Sequence, residues 1–164
     1  MRPAGRKKVD AAKACDARAV RNAALALLAR RDFASAALSR RLESYGYDCA
    51  VVGAAIAALA AERIVDDARF CENYVAYHAN RGQGPVRIGA DLKALGLSCE
   101  LIDPALAADP DWRSRAQAVR SRRFGPELPQ SWPEKSRQAR FLQYRGFSAD
   151  HIRAALGTDF NLDD

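Results

Sequence analysis

Residues 66–97, DDARFCENYVAYHANRGQGPVRIGADLKALGL, decide how the rest of the chain is read. The stretch predicts two helices joined by a tight glycine-proline corner. Asp66 and Asp67 can accept from the free N–H groups of a first helical turn, where the helix dipole also favours a carboxylate. Phe70, Tyr74 and Tyr77 follow at steps of four and three, which predicts one inward-facing aromatic stripe. Gly82 and Gly84 break that helix. Pro85 then sits where a new helix can begin without losing a hydrogen bond. Ile88, Leu92 and Leu95 form the second helix's apolar stripe, and Gly96 stops it.

Moving outward, the end of this stretch recurs. Leu42-x3-Gly46-Tyr47-Asp48, Leu92-x3-Gly96-Leu97-Ser98 and Leu142-x3-Gly146-Phe147-Ser148 align position by position, their glycines 50 residues apart. Each glycine is followed at the sixth position by Val52, Ile102 or Ile152, and at the tenth by Ile56, Leu106 or Leu156. Glycine can adopt the left-handed conformation that ends a helix, and the hydrophobic residue after it packs back on the last turn. Asp48, Ser98 and Ser148 then cap the next helix. The sixth and tenth residues are about one turn apart and share a face.

Three copies of this unit predict an all-α fold of three tandem three-helix, helix-turn-helix-like repeats. The first holds helices from about Asp10 to Arg31, Ser35 to Tyr45 and Asp48 to Ala61. The second holds 66–80, 85–95 and 98–108, the last shortened or kinked at Pro104. The third begins at Asp109-Pro110 with a helix through about Arg123. The connection 124–133 follows, then helices at 134–145 and 149–156. The expected domains are a basic extension over 1–22, repeats over 23–62, 63–108 and 109–158, and an acidic tail over 159–164. Three short helices enclose little core, so neighbouring repeats must share buried surface, which leads to an elongated array that can curve.

Composition agrees with helix: alanine, leucine and arginine are abundant while Gly and Pro are scarce. No alternating β-branched run argues for a strand. No apolar run approaches the 18 residues of a membrane span. Cys15, Cys49, Cys71 and Cys99 lie far apart without a C-x-x-C pair, and there are only two histidines. That spacing points away from zinc or a disulfide framework and toward reduced, mostly buried thiols in the cytoplasm.

Charge is uneven. Residues 1–61 hold 11 Lys and Arg against 5 Asp and Glu, residues 62–111 hold 5 against 9, and residues 112–164 hold 10 against 6. Basic ends flank an acidic middle, so a polyanionic partner fits some faces only.

Catalysis finds no constellation. Capping accounts for Asp66-Asp67, His78 at a helix end is stabilised by the dipole, and His151 precedes the core residue Ile152. Gly82-x-Gly84 lacks the strand and the Lys-Ser/Thr of a phosphate loop. The third helix of each repeat is a poor reader of bases: 48–61 has no Lys or Arg, the next carries Glu100 and Asp103, and only Arg153 stands in the last. Cations gather elsewhere, at Arg30, Arg31, Arg40 and Arg41, at Arg81, Arg87 and Lys93, and at Arg113, Arg115, Arg120, Arg122, Arg123, Lys135, Arg137, Arg140 and Arg145. Such placement suits phosphates or acidic protein surfaces. Trp112 and Trp132 are candidates for core packing or interface anchoring.

The run Asp66-Asp67-x-Arg69-Phe70, Tyr74-Val75, Gly82-x-Gly84-Pro85-x-Arg87-Ile88 and Asp91-Leu92-x3-Gly96-Leu97 resembles the hallmark of the RecX family, bacterial regulators of the RecA recombinase. Arg122-Arg123-Phe124-Gly125 and Phe141-Leu142-x2-Arg145-Gly146-Phe147 add a second match. His78 departs from the arginine many members carry before the glycine corner. The resemblance implies a monomeric, non-enzymatic protein without cofactor or metal. It would bind RecA and its single-stranded DNA filament, lowering recombinase, ATPase and co-protease activity. On that reading Arg81, Arg87, Lys93, Arg30, Arg31, Arg40, Arg41, Arg122, Arg123, Arg140 and Arg145 are the filament-contacting set, with weak direct DNA binding through the same basic surface. Asp66, Asp67, Phe70, Gly84, Pro85, Gly46, Gly96 and Gly146 shape the scaffold. The alternative is a tandem helix-turn-helix DNA-binding protein acting without RecA.

Overall fold

The computed structural model describes residues 10, 14–108 and 111–157 of the 164-residue chain. Most of the basic extension, the Asp109-Pro110 junction and the acidic tail lie outside the described residues. Among those described there are nine helices and no strand. They are α1 (Ala17–Leu28), α2 (Ser35–Ser44), α3 (Cys49–Ala61), α4 (Asp67–Asn80), α5 (Pro85–Leu95), α6 (Cys99–Ala107), α7 (Trp112–Phe124), α8 (Trp132–Arg145) and α9 (Ala149–Leu156). The all-α, repeated three-helix fold expected from the sequence is present.

The repeated turns are built alike. Gly46, Gly96 and Gly146 have φ of +95°, +97° and +89°, a region L side chains rarely enter. Leu42, Leu92 and Leu142 are each 0% exposed. In the first and third copies the residue after the glycine donates its N–H back to that leucine's carbonyl (Tyr47 to Leu42, 3.4 Å; Phe147 to Leu142, 3.1 Å), the bond that closes a Schellman turn. Val52, Ile102 and Ile152 are buried in α3, α6 and α9.

The chain divides into two compact units, Met1–Phe70 with Leu95–Leu97, and Cys71–Ala94 with Ser98–Asp164. In the first, Val20, Ala24 and Leu27 of α1 pack with Leu38 and Leu42 of α2 and with Val52, Ile56 and Leu59 of α3. In the second, α7 and α9 run side by side in the same direction. Arg113 Nη2 donates to Asp150 Oδ2 at 2.9 Å, and Gln117 Nε2 donates to the Ala154 carbonyl at 3.1 Å. Trp112 is buried there, its Nε1 donating to the Leu106 carbonyl at 3.0 Å, whereas Trp132 is exposed.

Several local expectations are corrected. The helix expected from Asp10 to Arg31 is interrupted: Ala14 is helical and donates its N–H to the Asp10 carbonyl, the chain turns at Cys15, and a helix then runs from Ala17 to Leu28. Asp16 caps it by accepting from Arg18 and Ala19, so the chain restarts at that carboxylate. Only Asp66 caps α4, accepting from Arg69 N–H at 3.0 Å, and this bond holds its carboxyl below the usual range. Asp67 instead accepts from Ser35 N–H at 2.7 Å, capping α2, whose own N-cap Ala34 has no side chain to offer.

The buried stripe of α4 is Cys71, Val75 and Ala79, one residue on from the aromatic stripe. Phe70 and Tyr74 are half-buried and Tyr77 is exposed. An aromatic ring can cover the edge of a core without entering it, so ring spacing misreads the inward face. Ser98 makes no side-chain cap; its hydroxyl bonds the Glu100 carboxylate and lowers that group's pKa. Cys15, Cys49 and Cys99 are exposed and only Cys71 is buried, because Cys49 and Cys99 open helices at their solvent-facing first turns. Helix α6 continues through Pro104 to Ala107.

Candidate functional site

The site is built in the second unit from the corner between α4 and α5. After Asn80 the chain turns at Gly82 (φ +78°), where a Cβ would come within 2.9 Å of Val119 Cγ2 on α7. Gly82 N–H donates to the Ala79 carbonyl and Gln83 N–H to that of His78. His78 itself is held in the corner, stacked on Tyr74 at 4.0 Å and edge-on to Tyr77 at 5.1 Å, with its Nδ1 buried and without a hydrogen bond.

Two main-chain bonds then clasp the corner to the α8–α9 turn. Gly84 N–H donates to the Arg145 carbonyl at 2.8 Å, and Val86 N–H to the Gly146 carbonyl at 3.0 Å. No side chain fits between them. A Cβ on Gly84 would collide with the Gly146 carbonyl, and one on Gly146 with the Cβ of Arg87. Pro85 then opens α5 as its first residue.

This clasp brings three helix ends together. Arg81 follows α4, Arg122 and Arg123 occupy the last turn of α7, and Arg145 ends α8. With Gly82, Val119 and Phe141 they line one open cleft of about 140 Å³. The four arginines are 64 residues apart at their extremes in sequence, yet line one concavity. No described carboxylate pairs with any of them.

Two of the four guanidinium groups rest on aromatic rings instead. Arg81 donates to the Tyr77 hydroxyl at 3.0 Å and lies over that ring, and Arg145 lies 5.4 Å from the centroid of Phe141. Phe141 packs edge-on against Phe124. On the neighbouring surface, Arg87 covers Tyr144 at 5.6 Å and donates to its carbonyl at 3.4 Å, with Asp91 at 4.0 Å from its Nε. Tyr144 is 76% exposed. A cationic concavity with an apolar floor and exposed aromatic flanks can hold an anion and stack a flat group.

Arg120, counted from sequence among the surface cations, is buried. It donates to the carbonyls of Pro126 (2.9 Å) and Glu127 (2.7 Å), tying the 125–131 connection to the end of α7 beside Arg122 and Arg123. Arg123-Phe-Gly-Pro-Glu was its only signal: a turn after a helix end leaves carbonyls to be satisfied. Tyr144 and Phe141 were also missed as site residues. The buried residues Ala139 and Leu142 place Tyr144 on the outward face of α8.

The other expected contacts lie apart from this cleft. Lys93 and Arg140 are exposed on α5 and α8. In the first unit Arg30 is exposed, Arg31 covers Phe33 at 4.3 Å, Arg41 covers Tyr45 at 4.9 Å, and Arg40 donates to the Leu95 carbonyl at 3.0 Å. There Gly96 sits against Ala36, so α2 and the α5 end approach closely. Among the described residues no group of three His, Cys, Asp or Glu could hold a metal, and no helix is long and apolar enough to cross a membrane.

Comparison with known proteins bears on the repeated three-helix fold. Residues 66–106 match the second three-helix domain of RecX, and residues 111–156 match the third. A regulatory protein RecX of Halorhodospira halophila is 47% identical over 138 residues, 84% of this chain and 86% of its own. That of Pseudomonas entomophila is 38% identical over 139 residues, covering 84% and 90%. The crystal structure of RecX from Lactobacillus salivarius superposes with a TM-score of 0.74 at 21% identity, over 85% of this chain and 94% of that one, and so shares the fold. With two of its three-helix domains matched and near-half identity across most of its length, this chain belongs to the RecX family of regulatory proteins.

Proposed function

We propose that this protein binds RecA and RecA filaments on single-stranded DNA, and inhibits their recombinase, ATPase and co-protease activities. Through that inhibition it would modulate DNA repair and the SOS response, acting as a cytoplasmic monomer and not as an enzyme. The observation that carries this reading is the cleft of four arginines, none paired with a described carboxylate, in a chain so closely related to regulatory proteins named RecX. Around it we assign Arg87, Lys93 and Arg140, and in the first unit Arg30, Arg31, Arg40 and Arg41, as further filament contacts. Repeats joined in one chain turn weak contacts into avid ones, because each later contact forms at high effective concentration.

Titration into a RecA–single-stranded DNA ATPase assay tests the proposal, with a DNA-only binding control. ATP hydrolysis falls with added protein, and the doubly charge-reversed variant Arg81→Glu, Arg87→Glu needs at least about tenfold more protein for the same inhibition, a loss of about 1.4 kcal/mol. Both side chains reach solvent, so the helical circular-dichroism signal stays unchanged. Hydrolysis unaffected by the parent protein refutes the function; equal inhibition by the variant refutes the site.

A further inference from the structure

Cys15 and Cys49 stand 34 residues apart, and nothing in their spacing joins them. The fold does. We infer that these two exposed thiols form a reversible redox pair, which a small disulfide such as oxidised glutathione converts into an intrachain Cys15–Cys49 bridge.

The cause lies in how α3 begins. Its N-cap Asp48 serves Ala50 and Val51 with its side chain, but its own N–H needs an acceptor. At the matching turn of the third repeat, Ser148 N–H finds one three residues on, in His151 Nδ1. The corresponding residue after Asp48 is Val51, which has no acceptor, so Asp48 N–H donates to the Ala14 carbonyl at 2.9 Å. That carbonyl is itself left over where the turn closed by the Ala14–Asp10 bond gives out at Cys15. An orphan donor and an orphan acceptor satisfy each other, which fixes the contact.

Each cysteine is the next residue along from that bond. A carbonyl oxygen lies about 2.8 Å from the following Cα, and an N lies about 4.8 Å from the following Cα in extended backbone. Asp48 is extended, with φ −65° and ψ 136°. The two cysteine Cα atoms therefore lie within about 10 Å of each other, and a bridge needs roughly 4.4–6.8 Å. Rotation of the exposed Cys15 turn about the 2.9 Å bond closes what remains. Cys99 occupies the place of Cys49 in the second repeat and is exposed too. Among the described residues no main-chain bond brings a second exposed cysteine to it, so it is an internal control.

The chemistry is thiol–disulfide exchange. The Cys49 thiolate attacks one sulfur of glutathione disulfide, that S–S bond breaks, and one glutathione leaves as its thiolate. The Cys15 thiolate then attacks the Cys49 sulfur of the mixed disulfide, and the second glutathione leaves. Two electrons pass to glutathione, and the two protein thiol protons end on the two released glutathiones. The bridge closes a loop holding all of α1 and α2, so oxidation stiffens the first unit and reduced glutathione undoes it. In a reducing compartment such a bridge is transient, which suits a sensor and not a staple.

The full chain is titrated with glutathione disulfide without denaturant, and tryptic peptides are mapped unreduced. Fragment 14–18 appears joined to fragment 42–63, at a concentration at least about tenfold below that which glutathionylates half of Cys99, because the second thiol is supplied at high effective concentration. The bridged chain unfolds about 10 °C higher than the reduced one. Cys15→Ser leaves Cys49 as a glutathione adduct and abolishes the thermal gain, whereas Cys99→Ser changes neither; both side chains are exposed, so both variants fold. Separate glutathione adducts on Cys15 and Cys49 overturn the inference. So does a bridge to Cys71 or Cys99, a bridge between two chains, or a Cys15–Cys49 bridge that forms only in urea.

Discussion

Replacing Gly84 by alanine tests the clasp on which the cleft stands. The added methyl meets the Gly146 carbonyl and lies 2.5 Å from Phe147 N. All of these are main-chain atoms, so no rotamer change relieves the collision. Restoring ordinary van der Waals contact moves the corner about 1 Å away from the α8–α9 turn. Such a shift takes the Gly84–Arg145 and Val86–Gly146 bonds from 2.8 and 3.0 Å to beyond hydrogen-bonding range. Two broken bonds at about 1 kcal/mol each, plus part of the penalty for unpaired groups at buried Gly84 and Gly146, give about 3 kcal/mol. For a chain of this size that lowers the midpoint of thermal unfolding by about 10 °C.

Urea and thermal unfolding followed by circular dichroism measure the change. Gly53→Ala in α3 is the control. Gly53 is exposed and a Cβ there meets nothing within 4 Å, so the same substitution stabilises by up to about 1 kcal/mol through helix propensity. If Gly84→Ala lies within about 0.5 kcal/mol of the parent, the clasp does not hold the corner and the reasoning fails.

Two further outcomes follow from side chains away from the cleft lining. His151 Nδ1 accepts from Ser148 N–H in a capping box, and burial pushes its pKa below the usual 6.5. Asp150 opposes that shift and Arg113 adds to it. The folded pKa is the lower one, so this contribution is complete above the unfolded value of about 6.5 and is lost as pH falls through the folded value. Thermal midpoints therefore decline on moderate acidification, and His151→Gln, which keeps an acceptor for the box, flattens that part of the profile; identical profiles would contradict it. Arg120→Met leaves the carbonyls of Pro126 and Glu127 without their donor, costing about 2–3 kcal/mol and opening the 125–131 connection to protease. Unchanged urea midpoint and cleavage would show that the buried guanidinium is dispensable.

The repeat was legible because its cause is local. A leucine, a left-handed glycine and an apolar follower make the same turn wherever they occur, as the φ angles at 46, 96 and 146 show. The cleft was only half legible. Arg81, Arg122, Arg123 and Arg145 could be named as cations, but their meeting depends on which helix ends converge, and sequence spacing does not encode that. The Gly82-x-Gly84 pair reads as a corner; its tertiary reason, close approach to Val119 and to Gly146, is invisible without the partner segments. Asp67 failed differently: capping chemistry was right, but the N–H it serves belongs to Ser35 in another helix. Arg120 was misjudged because arginine composition predicts surface, and only two nearby carbonyls make its burial tolerable.

The joint between residues 84–86 and 145–146 uses peptide groups alone. It is therefore indifferent to the chemical identity of almost every neighbouring side chain. Substitutions at positions such as Val86, Tyr144 or Arg145 can retune what the surface grips while the hinge-pin beneath keeps its alignment. A lineage could exchange ligands here by altering outward residues one at a time, provided two glycine codons are left alone.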